Sequence, residues 1–581
     1  MPNVKLFKQS FSGGEISPEM YGRIDDGKYQ SGLATCRNFI VKPQGPIMNR
    51  PGFKMVREVK SPSKKTRLIA FTYSTTQTVV LELGEFYIRF HTQGATILDG
   101  GSPYQVITPY AEADLFDLHY VQSADVLTIV HPKYPPAELR RMSATNWSLT
   151  NISFAPSILP PTSGGVGTPI LHEYRLTSVG KTSEGARSSV YSCNNDLTIA
   201  GNFNVISFKP NKGAIKTNIY KNSGGTYGLI GSTSSSTFVD TSALTVDLTV
   251  TPPASGSPSA PTTITATANA GVGVTATAFT ITSSSVAADT KIAMNYVVTS
   301  VASDNVTESA PSEVATVSNN VYVTGCYNTI SWGAVGGADH YNVYKKVGGL
   351  YGYIGQTKDT SIVDDNIAAD LSKTPPIYES VFSTDDNYPG AVSYFEQRRC
   401  FAATDVDPQS IWMTKSGTES NMSYSLPIRD DDRIKFRVAA REANTIRHIV
   451  PLSQLLLMTG AAEWRVTSVN SDAITPTSIS VRPQSYIGAS NVQPVVINNN
   501  LVYGASRGGH VRECAYSWQA NGFISGDLSL RSAHLFDTYD ITDMAYAKAP
   551  SPIVWAVSTN GKLLGLTYVP EQQVGAWHQH D

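Results

Sequence analysis

A strand–turn–strand phrase recurs along this chain and constrains its fold more than any other feature. Residues 118–131 read L-H-Y-V-Q-S-A-D-V-L-T-I-V-H: an apolar run, a polar turn, and a second apolar run ending in a histidine expected to be exposed. The same plan returns at 392–404 (V-S-Y-F-E-Q-R-R-C-F-A-A-T), 447–459 (R-H-I-V-P-L-S-Q-L-L-L-M-T), 495–506 (V-V-I-N-N-N-L-V-Y-G-A-S) and 553–568 (I-V-W-A-V-S-T-N-G-K-L-L-G-L-T-Y). Earlier, Thr66–Tyr73, Thr78–Leu83 and Glu85–Thr92, then Asp117–Val121, Val126–His131, Ala137–Met142 and Trp147–Phe154, read as strands. Short strands paired by tight turns and recurring roughly every 45 residues are what the blades of a β-propeller look like in sequence. Asn560-Gly561 is expected to be a two-residue hairpin turn, since both positions tolerate positive φ.

The series is interrupted. Between about Leu159 and Pro376 the composition shifts to Ser, Thr, Gly and Pro, and the region is duplicated. Y-K-N-S-G-G-T-Y-G-L-I-G-S-T-S-S-S-T-F-V-D from Tyr220 matches Y-K-K-V-G-G-L-Y-G-Y-I-G-Q-T-K-D-T-S-I-V-D from Tyr344, identical at eleven of 21 positions with an offset of 124. Each copy ends in Thr-Pro-Pro, at 251–253 and 374–376. In the second copy Ile330 and Trp332 are expected to point inward on one strand, with Tyr341, Val343 and Lys345 alternating on the next. This phrase, I-S-W-G-A-V-G-G-A-D-H-Y-N-V-Y-K-K, resembles a fibronectin type III module, with Phe208 in the tryptophan slot of the first copy. Tyr341, Tyr344 and Tyr351 read as core or edge packing, with a sugar-binding row as the rarer alternative. Ala254–Pro261 reads as linker, with Thr263–Ala268 and Thr275–Thr282 as the first strands of module two. The expected plan is an N-terminal platform at 1–60, a first propeller part at 61–158, sandwich modules at 159–255 and 256–377, and a second propeller part at 378–581. The class is all-β, with short N-terminal helices, and the modules project from the body.

Composition narrows the function. A chain of 581 residues exceeds one core. Charged residues are 16%, below the usual ~25%, and the net charge of −2 lacks the basic excess of a protein that grips phosphates. Five widely spaced cysteines suit neither a disulfide framework nor a zinc site and read as buried thiols. The N-terminus lacks an apolar signal core, and no run is long enough to span a bilayer. A protein made in a host cytoplasm and released by lysis fits these features.

Residues 10–56 carry the remaining information. Gly13-Gly14 allow a sharp turn. Ser17-Pro18-Glu19 opens a short helix. A second short helix is expected from about Gly27 to Arg37, with Tyr29, Leu33 and Cys36 on one face. Phe39–Val41 reads as a strand, Pro43-Gln44-Gly45 as a turn, and Ile47-Met48 as the return. The ordered motif Gly13, Gly14, Ile16, Ser17, Pro18, then Arg23 and Asp25, then Asn38, Val41 and Gly45, then Arg50, Pro51 and Gly52 resembles the start of tail nozzle proteins of short-tailed phages (podoviruses), also called tail tubular protein B. The motif covers about 40 residues. The resemblance implies a structural virion protein at the distal end of a phage tail: a homo-oligomer, in that family a hexamer, through which DNA is ejected. It implies a tail adaptor ring above, tail fibre or spike proteins around, the host envelope at infection, and phage DNA sliding through a neutral or acidic lumen without tight binding. Glu15, Arg23, Asp25, Asn38 and Arg50 are the candidate assembly contacts, with capping and turn stabilisation inside one subunit as the alternative. Proteins of that family continue further, so a last blade is expected to be absent or supplied by another chain.

No catalytic, cofactor or metal motif emerges, and the expectation is a non-enzyme. His578 and His580 fall on one side of a strand but lack a third ligand. Asp430-Asp431-Asp432 and Asp364-Asp365-Asn366 read as turns. Glu396 with Asp405 and Asp407 is the one acidic cluster on which a propeller glycoside hydrolase could be built. The alternative of another class is a cell-surface or glycan-binding adhesin, which the missing signal peptide disfavours.

Overall fold

A computed structural model of the chain describes residues 8–581 except 75–76, 162–169, 182, 196, 198–202, 212–213, 235, 242–243, 270–279, 284–290 and 440–443. The chain is all-β: antiparallel sheets dominate, and the helical pieces among the described residues are short 3-10 turns.

Among the described residues, six antiparallel sheets of four or five strands succeed one another outside the duplicated region, each with its main strands in sequence order. Sheet 1 is Arg67–Thr72, Thr78–Gly84, Tyr87–Thr92 and Gln105–Ile107, with Ala95–Thr96 paired on its third strand. Sheet 2 is His119–Ser123, Val126–His131, Tyr134–Ser143 and Asn146–Asn151. Sheet 3 is Ala391–Phe395, Arg398–Ala402, Ser410–Met413 and Ile434–Arg437; sheet 4 is Ile446–Pro451, Leu455–Thr459, Glu463–Ser468 and Ile479–Ser485. Sheet 5 is Val495–Ile497, Asn500–Gly504, Val511–Ser517 and Gly522–Asp527; sheet 6 is Ile541–Ala547, Ile553–Ser558, Leu563–Val569 and Val574–His580.

The second strand of each recurring phrase explains how the sheets stack. Leu455, Leu456, Leu457 and Met458 are all fully buried, so this run lacks the polar alternation of a strand with one wet face. Leu455 and Leu457 join the core shared with sheet 3, while Leu456 and Met458 join the core shared with sheet 5. In sheet 3, Cys400 and Ala402 face sheet 4, while Phe401 packs with Val130 of sheet 2. In sheet 2, Leu127 and Ile129 face sheet 1. Each such leucine removed from water contributes on the order of 2 kcal/mol. Buried polar locks join the same neighbours: Glu138 on Arg399 at 2.7 Å, Glu463 on the Tyr503 hydroxyl at 3.0 Å, and Glu513 on the Tyr568 hydroxyl at 2.5 Å. Sheets 5 and 6 share a core around Val502, Val554 and Trp577. The cycle closes where Arg67 of sheet 1, 2% exposed, pairs with Asp543 of sheet 6 at 3.0 Å.

Two local readings are corrected, and one strand pair takes a different place in its sheet. His131 is buried, 5% exposed, rather than an exposed strand end. The phrase at 553–568 forms the second and third strands of its sheet, whereas the other four phrases form the first and second. At Asn560-Gly561 only Gly561 takes positive φ (82°); Ser558 N–H donates to the Lys562 carbonyl, giving a longer hairpin loop with glycine at the left-handed position.

The duplicated region enters between sheets 2 and 3 and forms two sandwiches, each a four-stranded sheet facing a three-stranded one. Ile330 and Trp332 point inward, as do Tyr341, Val343 and Lys345. The expected border at 255/256 moves: Thr262–Asn269 pairs with Phe203–Lys209 and belongs to the first sandwich, whereas Thr280–Ser283 pairs with Asn328–Ser331 of the second. Residues 275–279 of the other expected strand lie outside the described residues. The sandwiches are also tied down at their roots, by Lys181 on Glu85 at 2.6 Å and by the Tyr378 hydroxyl on the Glu308 carbonyl.

Candidate assembly surface

The motif folds as a strap along the outer edge of sheet 6. Gly14-Glu15 pairs in parallel with Gly32-Leu33, and the Phe39–Val41/Ile47–Asn49 hairpin follows. The two glycines are needed for contact: a Cβ on Gly14 (φ 68°) would sit 2.5 Å from the Trp577 amide nitrogen, and one on Gly13 would sit 2.9 Å from the Gly32 nitrogen. Ser17 caps the Pro18–Met20 turn, its hydroxyl accepting from the Glu19 amide. The expected helix from Gly27 to Arg37 is only a single 3-10 turn, Tyr29–Ser31. Gly32 and Leu33 are taken instead by the parallel pairing, and Cys36 hands its carbonyl to the Gln579 amide. The sheet edge, which would otherwise present unpaired amides, is covered by the chain's own beginning.

Glu15 is the clamp. It is 2% exposed; one carboxylate oxygen accepts from the Cys36 amide at 2.7 Å, and the other from His534 at 2.9 Å and Gln579 at 2.8 Å. Its carbonyl accepts from the Ser532 hydroxyl. Burial, and then the Glu15 carboxylate, push the Cys36 thiol up to about 12, so the thiol is inert. Asn38, at φ 61°, donates its amide to the Gln579 carbonyl at 2.8 Å and accepts from the Asp581 amide. Glu15 and Asn38 therefore hold the strap to its own sheet.

Of the other three candidates, Arg23 and Asp25 lie toward solvent, and Arg50 is half-buried with one guanidinium nitrogen out of water. Arg23 and Asp25 form an exposed fork, with contacts of 2.8 and 2.6 Å; the arginine hydrogen bond holds the Asp25 carboxyl below its usual range. Arg50 donates its amide to Asn38, and its guanidinium lies 4.2 Å from the Phe53 ring centre. Beyond it Pro51–Glu58 runs without regular structure, every residue exposed, with Phe53 at 74% and Met55 at 75%. The five candidates thus divide into Glu15 and Asn38, which fasten the strap, Arg23 and Asp25, which face outward, and Arg50, half-buried and bonded to Asn38. Sequence reading missed Gln579, His534 and Ser532, more than 500 residues downstream, for which no local pattern exists.

The middle of the six-sheet cycle is bridged by His119. Its two ring nitrogens face the Gly390 carbonyl (2.5 Å) and the Asn491 carbonyl (3.0 Å), and its ring packs on His448 at 4.8 Å. Burial drives both imidazoles below their usual range. A cavity of about 170 Å³ remains beside them, lined by Tyr120, Ser393, Arg447 and Gln493.

The other candidate groups are accounted for by local bonds. His578 and His580 face one side of their strand, 2.6 Å apart, under Trp555; burial pulls them to about 3 and about 4. Among the described residues no cluster of three His, Cys, Asp or Glu side chains could hold a metal. Glu396 accepts from the Ile474 amide at 2.7 Å, while Asp405 and Asp407 are exposed. The carbonyls of Asp430, Asp431 and Asp432 surround the buried Arg398 guanidinium. Tyr341 and Tyr344 are buried, 4% and 2% exposed, which leaves no exposed tyrosine row. No known protein family and no curated protein matches the chain.

Proposed function

We propose that this chain is a structural virion protein, the nozzle subunit at the distal end of a short phage tail, working as one wedge of a homo-oligomeric ring. The carrying observation is that the ordered N-terminal motif folds as one strap, fastened to sheet 6 through Gly14, Glu15 and Asn38, while the paired Arg23 and Asp25 and the stretch 51–58 are exposed. Six sheets closing in a cycle are read as a β-propeller, and the duplicated sandwiches as fibronectin-like modules mounted on it. With His119 tying sheets 2, 3 and 5 across the middle of the cycle, DNA would pass between subunits and not through one. A near-neutral wall suits sliding, because phosphate-binding surfaces hold DNA in a salt-dependent way. The outward sites would receive the adaptor ring and the fibres.

Light scattering of the purified chain tests this. A mass near six times 62.6 kDa is expected, with no gel shift of duplex DNA at physiological salt. A single-chain mass, or tight duplex binding, overturns the reading.

A further inference from the structure

Each sandwich sets one lysine against one aspartate between its two sheets. In the second, Lys345 stands on Ala338–Val347 of the four-stranded sheet, and Asp364 ends Ser361–Asp364 of the three-stranded one. Lys345 is 1% exposed and Asp364 0%. The Lys345 Nζ lies 3.2 Å from Asp364 Oδ1 and 3.1 Å from Oδ2, which puts the carboxyl carbon bonded to both within reach of the nitrogen. The same nitrogen donates to the Ile367 carbonyl at 2.6 Å, so it is held in place. The donors around the carboxyl group are sorted between its oxygens. Oδ1 accepts from the Ile367 amide at 2.9 Å and the Asn366 amide at 3.2 Å, backbone donors of the kind that hold charge developing on an oxygen. Oδ2 accepts from the Tyr296 hydroxyl at 2.7 Å, itself fixed by Asn328 at 2.9 Å. Burial pushes the Tyr296 hydroxyl well above its usual range, so it keeps its proton. The first sandwich repeats the group: Lys221 lies 2.8 Å from Asp240 Oδ2, which accepts from the Tyr174 hydroxyl at 2.6 Å. The positions matching Asn366 and Ile367, 242 and 243, lie outside the described residues.

We propose that Lys345 and Asp364, and likewise Lys221 and Asp240, condense into side-chain amide bonds that join the two sheets of each sandwich. An ion pair alone would account for the lysine. Amides on one oxygen and a hydroxyl on the other are what addition and elimination at the carbon between them require. A proton first passes from the lysine ammonium to the carboxylate, giving an amine and an acid. The amine nitrogen attacks the carboxyl carbon, and the charge that builds on Oδ1 meets the Asn366 and Ile367 amides. The Cγ–Oδ2 bond then breaks. Oδ2 leaves as water, with the acid proton and one proton from the nitrogen, while the Tyr296 hydroxyl steadies it. One Nζ–Cγ bond replaces one Cγ–Oδ2 bond, nothing is oxidised or reduced, and no co-reactant is needed. The buried site keeps out the water that would reverse the step. Sheets joined in this way cannot be pulled apart when a module is loaded at its root. This goes beyond the ring reading and does not depend on it.

The test uses the full chain, purified, denatured and measured by intact mass spectrometry. Two lost waters should leave it about 36 Da below the mass of its sequence. Trypsin does not cut after an acylated lysine, so the digest should contain the peptide holding Lys345 joined to the peptide holding Asp364, and a matching pair for Lys221 and Asp240. The full sequence mass with no joined peptides overturns the proposal. A loss of about 18 Da, mapped to one sandwich, upholds the bond there and overturns it in the other. Lys345→Met should remove the joined peptide of the second sandwich alone. Tyr296→Phe should leave most chains unjoined at Lys345 and joined at Lys221, with unchanged near-ultraviolet circular dichroism. A Tyr296→Phe chain joined as fully as the wild type overturns the part given to the hydroxyl.

Discussion

At the scale of single residues, the strap depends on one carboxylate. Replacing Glu15 with alanine leaves the Cys36 amide, the His534 ring and the Gln579 side chain without their acceptor. The cost is roughly 3 kcal/mol, felt as local release of the strap more than as global unfolding. Hydrogen exchange at the Asn38 and Gln579 amides should then accelerate about a hundredfold. Gly14→Ala should release the same amides, because the added carbon meets backbone and not a side chain that can swing away. His510 gives a pH signature. It is partly buried, which lowers its pKa, but Asp537 at 3.0 Å and Asp527 at 2.9 Å outweigh burial and the net shift is upward. Its stabilisation is therefore full below the free imidazole pKa of about 6.5 and is lost as pH rises through the raised folded value. His510→Ala should destabilise the chain more at pH 6 than at pH 8.5, read by urea unfolding at each pH. Gly13, Gly14 and Gly45 of the motif were legible in sequence because φ or close approach leaves only glycine, whereas nothing in the structure requires glycine at 52. The role of Glu15 was not, because its partners arrive from sheets formed half a thousand residues later.

At the scale of elements, strands announced themselves wherever apolar runs sat between turn residues, and each sheet falls where the recurring phrase put it. The phrase at 553–568 is the strand pair it reads as, but it lies second and third in its sheet, a place the local pattern does not distinguish from first and second. The lost helix at Gly27–Arg37 shows tertiary pairing overriding a three- and four-residue apolar spacing. The duplication held more than its identities showed. Tyr174 donates to Asp240 and receives Asn204, which in turn receives Asn195; Tyr296, Asp364, Asn328 and Asn319 repeat the chain of bonds. Lys221 and Lys345 close the two networks on Asp240 and Asp364. Each buried polar group in such a network needs partners from the others, which accounts for the same polar residues in both copies. Tyr174→Phe and Tyr296→Phe should each cost about 2 kcal/mol, confined to their own sandwich. Hydrogen exchange of the full chain should show one module loosened and the other unchanged in each variant.

At the scale of the molecule, six small sheets form a cycle tied across by His119, with two sandwiches rooted on it and one edge wrapped by the N-terminal strap. Such a body offers shape and surface. Its proposed work therefore lies in how copies meet, and the lumen of a conduit would be the space they enclose. Chain-internal features such as the sheet order and the sandwich cores were readable from periodicity, whereas a surface on which copies would meet leaves no period in the sequence. Electron microscopy of the purified protein in negative stain tests the central claim most directly. Six-fold rings with an open lumen between subunits are the predicted image, and a field of separate single-chain particles would contradict it.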